Sequence, residues 1–125
     1  MSDIKIVILA AGKGKRMEAL GFDLPKPLIP IHGRPMIRHL IDAVNESQVD
    51  GEPIIITAPD NRDLFCQTLG SRACRYVVQE NQLGTGHAVM CARDHFIDTG
   101  HVMVLYGDHP TVTAQTIRRL AREHI

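Results

Sequence analysis

Gly12 and Gly14 stand interleaved with Lys13, Lys15 and Arg16, and two small residues, Ala10 and Ala11, lead into them. Glycines in such a turn let backbone N–H groups converge on an anion with no Cβ in the way, and the cations add charge. Lys26, held between Pro25 and Pro27, brings a further, stiffly presented cation. The chemistry this combination suits is the cradling of a polyphosphate. It is not a P-loop, which needs G-x-x-x-x-G-K-[ST], nor the dinucleotide fingerprint G-x-G-x-x-G, which would require glycine where Met17 stands. Gly21, Pro25, Pro27 and Pro30 interrupt the segment after Met17, so the loop is expected to wrap over its ligand before the chain settles into a helix.

The elements that must hold this loop can be read from hydrophobic patterning. Residues 4–9, IKIVIL, are apolar without alternation apart from Lys5, the habit of a strand buried on both faces. A helix is expected from Gly33-Arg-Pro35, with an apolar stripe of Met36, Ile37, Leu40, Ile41 and Val44. Residues 53–58, PIIITA, read as a second strand. Asp60 or Asn61 then caps a helix carrying Leu64, Phe65, Thr68 and Leu69, stopped by Gly70. Residues 74–79, CRYVVQ, read as a third strand, and Thr85 caps a third helix with Ala88, Val89, Ala92 and Phe96 inward. Residues 101–106, HVMVLY, read as a fourth strand, and Thr113 begins a last helix with Ile117, Leu120 and Ala121. Met36, Met90 and Met103 are expected in the core.

Strict alternation of strand and helix predicts an α/β fold, a Rossmann-like three-layer sandwich around a parallel sheet of about four strands. With the first strand central, the economical order is third, second, first, fourth, and ligands bind where the order reverses, between the first and fourth strands. That brings the glycine loop beside Gly107-Asp108-His109-Pro110. A carboxylate at a strand's carboxyl end, next to a phosphate cradle, is the natural place for a divalent cation shared with phosphate oxygens, so Asp108 is the candidate ligand.

At 125 residues, with 44% hydrophobic and 22% charged residues and a formal net charge of zero, the chain reads as one ordinary domain. Nothing in the bulk charge points to nucleic acid or membrane, so the local cluster of cations implies a small anionic partner. The first residues lack a basic leader, and their apolar run is far too short to span a bilayer, so a cytoplasmic protein is expected. Cys66, Cys74 and Cys91 are odd in number and widely spaced, which favours thiols over disulfides or a structural zinc site. His87 reads as a surface or capping residue, and for His109 a structural role stands beside the orientation of a metal-bound water.

Five motifs carry a resemblance. L-A-A-G-x-G-x-R-M at residues 9–17, P-K-P-L at 25–28, G-R-P-M-I at 33–37, Q-x-x-Q-L-G-T-G-H-A-V at 79–89 and L-Y-G-D-x-P at 105–110 resemble the sugar-1-phosphate nucleotidyltransferases. The last two look like the pyrophosphorylase domain of bacterial bifunctional N-acetylglucosamine-1-phosphate uridyltransferases. The resemblance implies a nucleotide-diphospho-sugar transferase type of fold, with residues 1–125 as its nucleotide-binding half. It implies that Leu9, Ala10, Ala11, Gly12 and Gly14 hold the nucleotide, that Arg16 contacts the leaving pyrophosphate and that Lys26 sits on the α-phosphate. It further implies that Gln79 offers both a donor and an acceptor to the uracil edge, that Gly84 and Thr85 close over the base, that Tyr106 and Gly107 line the site, and that Asp108 binds Mg2+.

The reaction so implied is transfer of UMP from UTP to N-acetylglucosamine-1-phosphate with release of pyrophosphate, a step of cell wall precursor biosynthesis. Two alternatives stay open: a nucleotide-binding fragment or subunit without turnover, or a CTP-, GTP- or dTTP-dependent nucleotidyltransferase of the same fold with another acceptor. In the resembling family the acceptor is held by strands that would come after Ile125. The 125-residue chain is therefore expected to bind nucleotide with little or no turnover and, its fourth strand being an open apolar edge, to form a homo-oligomer or aggregate.

Overall fold

The computed structural model describes residues 3–11, 24–70 and 74–124. Gly12, Gly14 and Arg16, with Lys13 and Lys15, lie outside the described residues. The strands are β1 (Ile4–Ala10), β2 (Pro30–Ile31), β3 (Arg34–Pro35), β4 (Ile54–Thr57), β5 (Arg75–Val78) and β6 (His101–Tyr106). The helices are α1 (Met36–Ser47), α2 (Arg62–Leu69), α3 (Thr85–Cys91) and α4 (Ala114–His124). The main sheet has the order β5-β4-β1-β6, the expected third, second, first, fourth, and each of its pairs is parallel.

β1 is central because it has apolar side chains to give to both faces. Ile4, Ile6, Ile8 and Ala10 pack with Ile37, Leu40, Ile41 and Val44 of α1, Phe65 and Leu69 of α2, and Ile117 and Ala121 of α4. Val7 and Ala11 point the other way, with Ile54 and Ile56 of β4 against Ala88 of α3 and Ala92. Each fully buried Ile contributes about 1.5 to 3 kcal/mol relative to exposure, so β1 and β4 dominate the stability of the sheet. The single polar residue of β1 has its own partners. Lys5 Nζ lies 3.3 Å from Asp50 Oδ1, and Asp50 Oδ2 accepts from Ile6 N at 2.9 Å.

The proline-rich stretch is more ordered than its composition suggests. Lys26–Leu28 form a 3-10 turn with Pro27 and Leu28 buried, and β2 and β3 make a small antiparallel hairpin. Its turn residues, His32 at φ 52° and Gly33 at φ 78°, both adopt the left-handed region that a two-residue hairpin turn requires. The hairpin is tied to α1 by Arg34 Nη1 donating to Asp42 Oδ2 at 2.7 Å and by a 2.7 Å contact between His39 Nε2 and the Ile31 carbonyl.

Several local expectations are corrected. Pro35 ends β3 in an extended conformation and the helix opens at Met36, because the hairpin claims the preceding residues. Neither Asp60 nor Asn61 caps α2 with its side chain, since a 3-10 turn over Pro59–Asn61 precedes it, and Thr68 is exposed. Gly84, not Thr85, is the N-cap of α3, which ends at Cys91 and gives way to a 3-10 turn over Arg93–His95. Met90, two residues from the buried Ala88 and Ala92 and so turned away from the face they share, is 51% exposed, and Leu120 of α4 is likewise 49% exposed. Thr113 does cap α4, its Oγ1 accepting from Thr116 N at 3.1 Å. On β5, burial pushes the Tyr76 phenol well above the ordinary tyrosine range, with Cys74 adding to the shift.

Candidate functional site

The carboxyl ends of β1 and β6 meet where the strand order reverses. Gly107 N donates to the Leu9 carbonyl at 2.9 Å, which locks the turn after β6 against the end of β1. Glycine suits the closeness of the approach. A Cβ at position 107 would stand 3.1 Å from Leu9 O and 3.4 Å from both Ile37 Cδ1 and Pro27 Cβ. The same packing places Lys26 over Asp108, with Nζ 3.2 Å from Oδ2. His109 Nε2 lies 3.7 Å from Asp108 Oδ1, and its ring sits 5.3 Å from that of Tyr106. The Lys26 and Asp108 side chains are 47% and 30% exposed, so the pair is open to a ligand and contributes about 0 to 1 kcal/mol to stability.

On the other side of β1 lies a cavity of about 300 Å³, lined by Leu9, Ala11, Gln79, Gln82, Gly84, Thr85 and Ala88. That volume is at the small end for ligand sites and suits a nucleobase. Three elements build it: the end of β1, Gln79 immediately after β5, and the first turn of α3. Gln79 is 3% exposed, and its Nε2 lies 3.3 Å from the Gly84 carbonyl and 2.9 Å from His87 Nδ1. Gln82 Nε2 donates to the Ala11 carbonyl and so straps the loop before α3 to the end of β1. Leu9 belongs to both regions, lining the cavity through its own atoms and accepting from Gly107 N.

The structure therefore gathers Leu9, Ala11, Gln79, Gly84 and Thr85 into one cavity, and Lys26, Tyr106, Gly107 and Asp108 at the neighbouring strand end. Ala10 is buried inside the sheet at 2% exposure. Two expectations change. The Gln79 amide does not have a donor to spare, because its nitrogen is engaged by Gly84 and His87. His87 is half-buried against Gln79, and not a surface or capping residue. Gln82 had a visible signal, the repeated glutamine of Q-x-x-Q, whereas the role of His87 depends on a contact between a strand end and a helix turn.

For a divalent cation, no group of three or more metal-ligating side chains converges among the described residues. Asp108 supplies one hard oxygen donor at the right strand end, which fits an ion held chiefly by phosphate oxygens and water. No helix among the described residues is long and apolar enough to cross a membrane.

Known proteins share this fold. Over its whole length the chain is 43% identical to the bifunctional protein GlmU of Symbiobacterium thermophilum, of which it spans 26%. It superposes with a TM-score of 0.83 on a Bacillus anthracis protein named for glucose-1-phosphate thymidylyltransferase activity and solved with sucrose. There the identity is 26%, and the match covers 97% of this chain and 50% of that one. A manganese complex of Rv0371C from Mycobacterium tuberculosis shares the fold with a TM-score of 0.77 at 19% identity, over 98% of this chain and 60% of that one. Residues 6–125 match the family described as the MobA-like NTP transferase domain, and the parallel α/β sheet is in keeping with that match: the chain belongs to this family.

Proposed function

We propose that this chain is the nucleotide-binding half of a sugar-1-phosphate nucleotidyltransferase that transfers UMP from UTP to N-acetylglucosamine-1-phosphate. The observation that carries the reading is the pairing of Lys26 with Asp108 one strand away from a base-sized cavity, with Leu9 shared between the two. A nucleotide laid across the top of β1 has its base in the cavity and its phosphates over Lys26. The GlmU relative supports the acceptor, and the resemblance of the Gln79 and Asp108 motifs supports the base.

In the proposed reaction a phosphate oxygen of the sugar-1-phosphate attacks the α-phosphorus of UTP in line. A new P–O bond forms, the α–β phosphoanhydride breaks, and pyrophosphate leaves with the electron pair. The chain's own residues contribute position and charge rather than a nucleophile. Lys26 offsets charge on the α-phosphate, Gly107 holds the strand end that carries Asp108, and Gln79 and Gly84 hold the base. Arg16, on the glycine loop, would contact the leaving pyrophosphate. A divalent ion bound through Asp108, Mg2+ in this reading, would supply further neutralisation of the phosphates. Pyrophosphate release from UTP and N-acetylglucosamine-1-phosphate, measured on the full-length protein, tests the assignment. Release with dTTP and glucose-1-phosphate but not with UTP would replace it.

Among the described residues β6 is an edge strand, and Val104 within it and Leu120 beside it expose 40% and 49% of their surface, which supports self-association as a further element of this reading.

A further inference from the structure

The orientation of the Gln79 side chain decides whether the cavity meets a donor or an acceptor. Two neighbours fix it. The Gly84 carbonyl, 3.3 Å from Nε2, can only accept, so the amide nitrogen must be the end that faces it. Gly84 cannot swing away, because its carbonyl also accepts from Ala88 N at 3.1 Å as the first turn of α3 closes. The second hydrogen of the same nitrogen points at His87 Nδ1, 2.9 Å away. That ring nitrogen must then be bare, with the ring proton on Nε2, since a protonated Nδ1 would set hydrogen against hydrogen. Cys91 Sγ, 4.0 Å from the same Nδ1 and one turn further along α3, is a weak donor and fits the same tautomer. Both amide hydrogens are spent inside the protein, and Oε1 is the group left for a ligand.

We propose that His87 is the specificity-positioning residue of this pocket: through its bare Nδ1 it locks the Gln79 amide with the carbonyl toward the ligand, selecting nucleoside triphosphates whose base presents a ring N–H. Uracil and thymine do so. Cytosine presents a bare ring nitrogen at that edge, which would face Oε1 acceptor to acceptor and leave both unpaired. A site built on one hydrogen-bonding sense rejects the opposite sense far more strongly than a shape-only pocket rejects a size change. The inference deepens the proposed function and rests on its reading of Gln79 as the residue that meets the base.

Two measurements test it, the first without any nucleotide. Proton–nitrogen correlation spectra of the His87 ring in the full-length protein should show Nδ1 bare and Nε2 protonated at neutral pH, and a protonated Nδ1 overturns the lock. Calorimetric affinities for UTP and CTP in Mg2+ then compare the wild type with His87→Leu, which removes the acceptor, and His87→Asn, whose Oδ1 can replace it. The preference for UTP should fall about tenfold in His87→Leu and stay within about threefold of wild type in His87→Asn. Equal preference in all three proteins overturns the inference, and the Asn variant keeps the test informative if the Leu variant fails to fold. Gln79→Leu separates the two levels. Loss of preference there with none in the His87 variants leaves the base reading standing without the lock, and preference retained in Gln79→Leu refutes the base reading and the inference together.

Discussion

Lys26→Ala should separate stability from ligand binding. The Lys26 and Asp108 side chains meet at 3.2 Å but remain 47% and 30% exposed, so removing the cation should cost about 0 to 1 kcal/mol of folding stability. If Lys26 meets a phosphate, the loss in binding is that of a hydrogen bond between charged groups, about 1.5 to 3 kcal/mol. That corresponds to roughly a ten- to hundredfold weaker dissociation constant for UTP. The Asp108 carboxylate left behind would repel the phosphates, which places the expectation toward the upper end when Mg2+ is scarce. Calorimetric titration of UTP beside urea unfolding of the same samples gives both numbers. Lys5→Ala is the control, since Lys5 pairs with Asp50 near the amino end of β1, away from the strand ends that form the site. UTP affinity unchanged in Lys26→Ala, or reduced equally in Lys5→Ala, would refute the placement of phosphate at Lys26.

Gly107→Ala should push a Cβ to 3.1 Å from Leu9 O, and such overpacking costs about 1 to 3 kcal/mol of stability. Urea unfolding reads it, and a neutral substitution would mean that the ends of β1 and β6 are not locked. Tyr76 gives a pH signature. Its phenol is raised by burial in the folded chain, so the unfolded chain loses that proton first as pH climbs past 10.0. The contribution of Tyr76 is therefore fully present below that pH and is lost above it. The alkaline decline in stability should be shallower in Tyr76→Phe than in the wild type, and identical declines would refute the shift.

The sheet order was legible because residues 4–9 and 53–58 are apolar runs without alternation, which puts the first strand inside the sheet, and the most economical parallel connection of the remaining strands then gives the order. The β2–β3 hairpin was not, since two-residue strands flanked by Pro30 and Pro35 carry no periodic signal. Leu120 lies three residues from the buried Ile117 yet stays open beside the edge strand β6, whereas Met90, two residues from Ala88 and Ala92, faces the opposite way, which its apolar character alone did not reveal. Within the site, Gln79, Gly84 and Asp108 were visible as motif residues. The direction of the Gln79 amide was not, because it depends on Gly84 and His87 folding back over the end of β5.

In this reading one nucleotide lies across the carboxyl end of β1, base on the Gln79 side and phosphates on the Lys26 side. Backbone amide shift mapping on addition of UTP with Mg2+ puts that placement to the test. The largest changes should fall at Leu9, Ala11, Gln79, Gly84, Thr85 and Asp108, with little at His101 and His124, which line the separate groove between β6 and α4. Changes centred on that groove, or absent from Gln79 and Asp108, would contradict it.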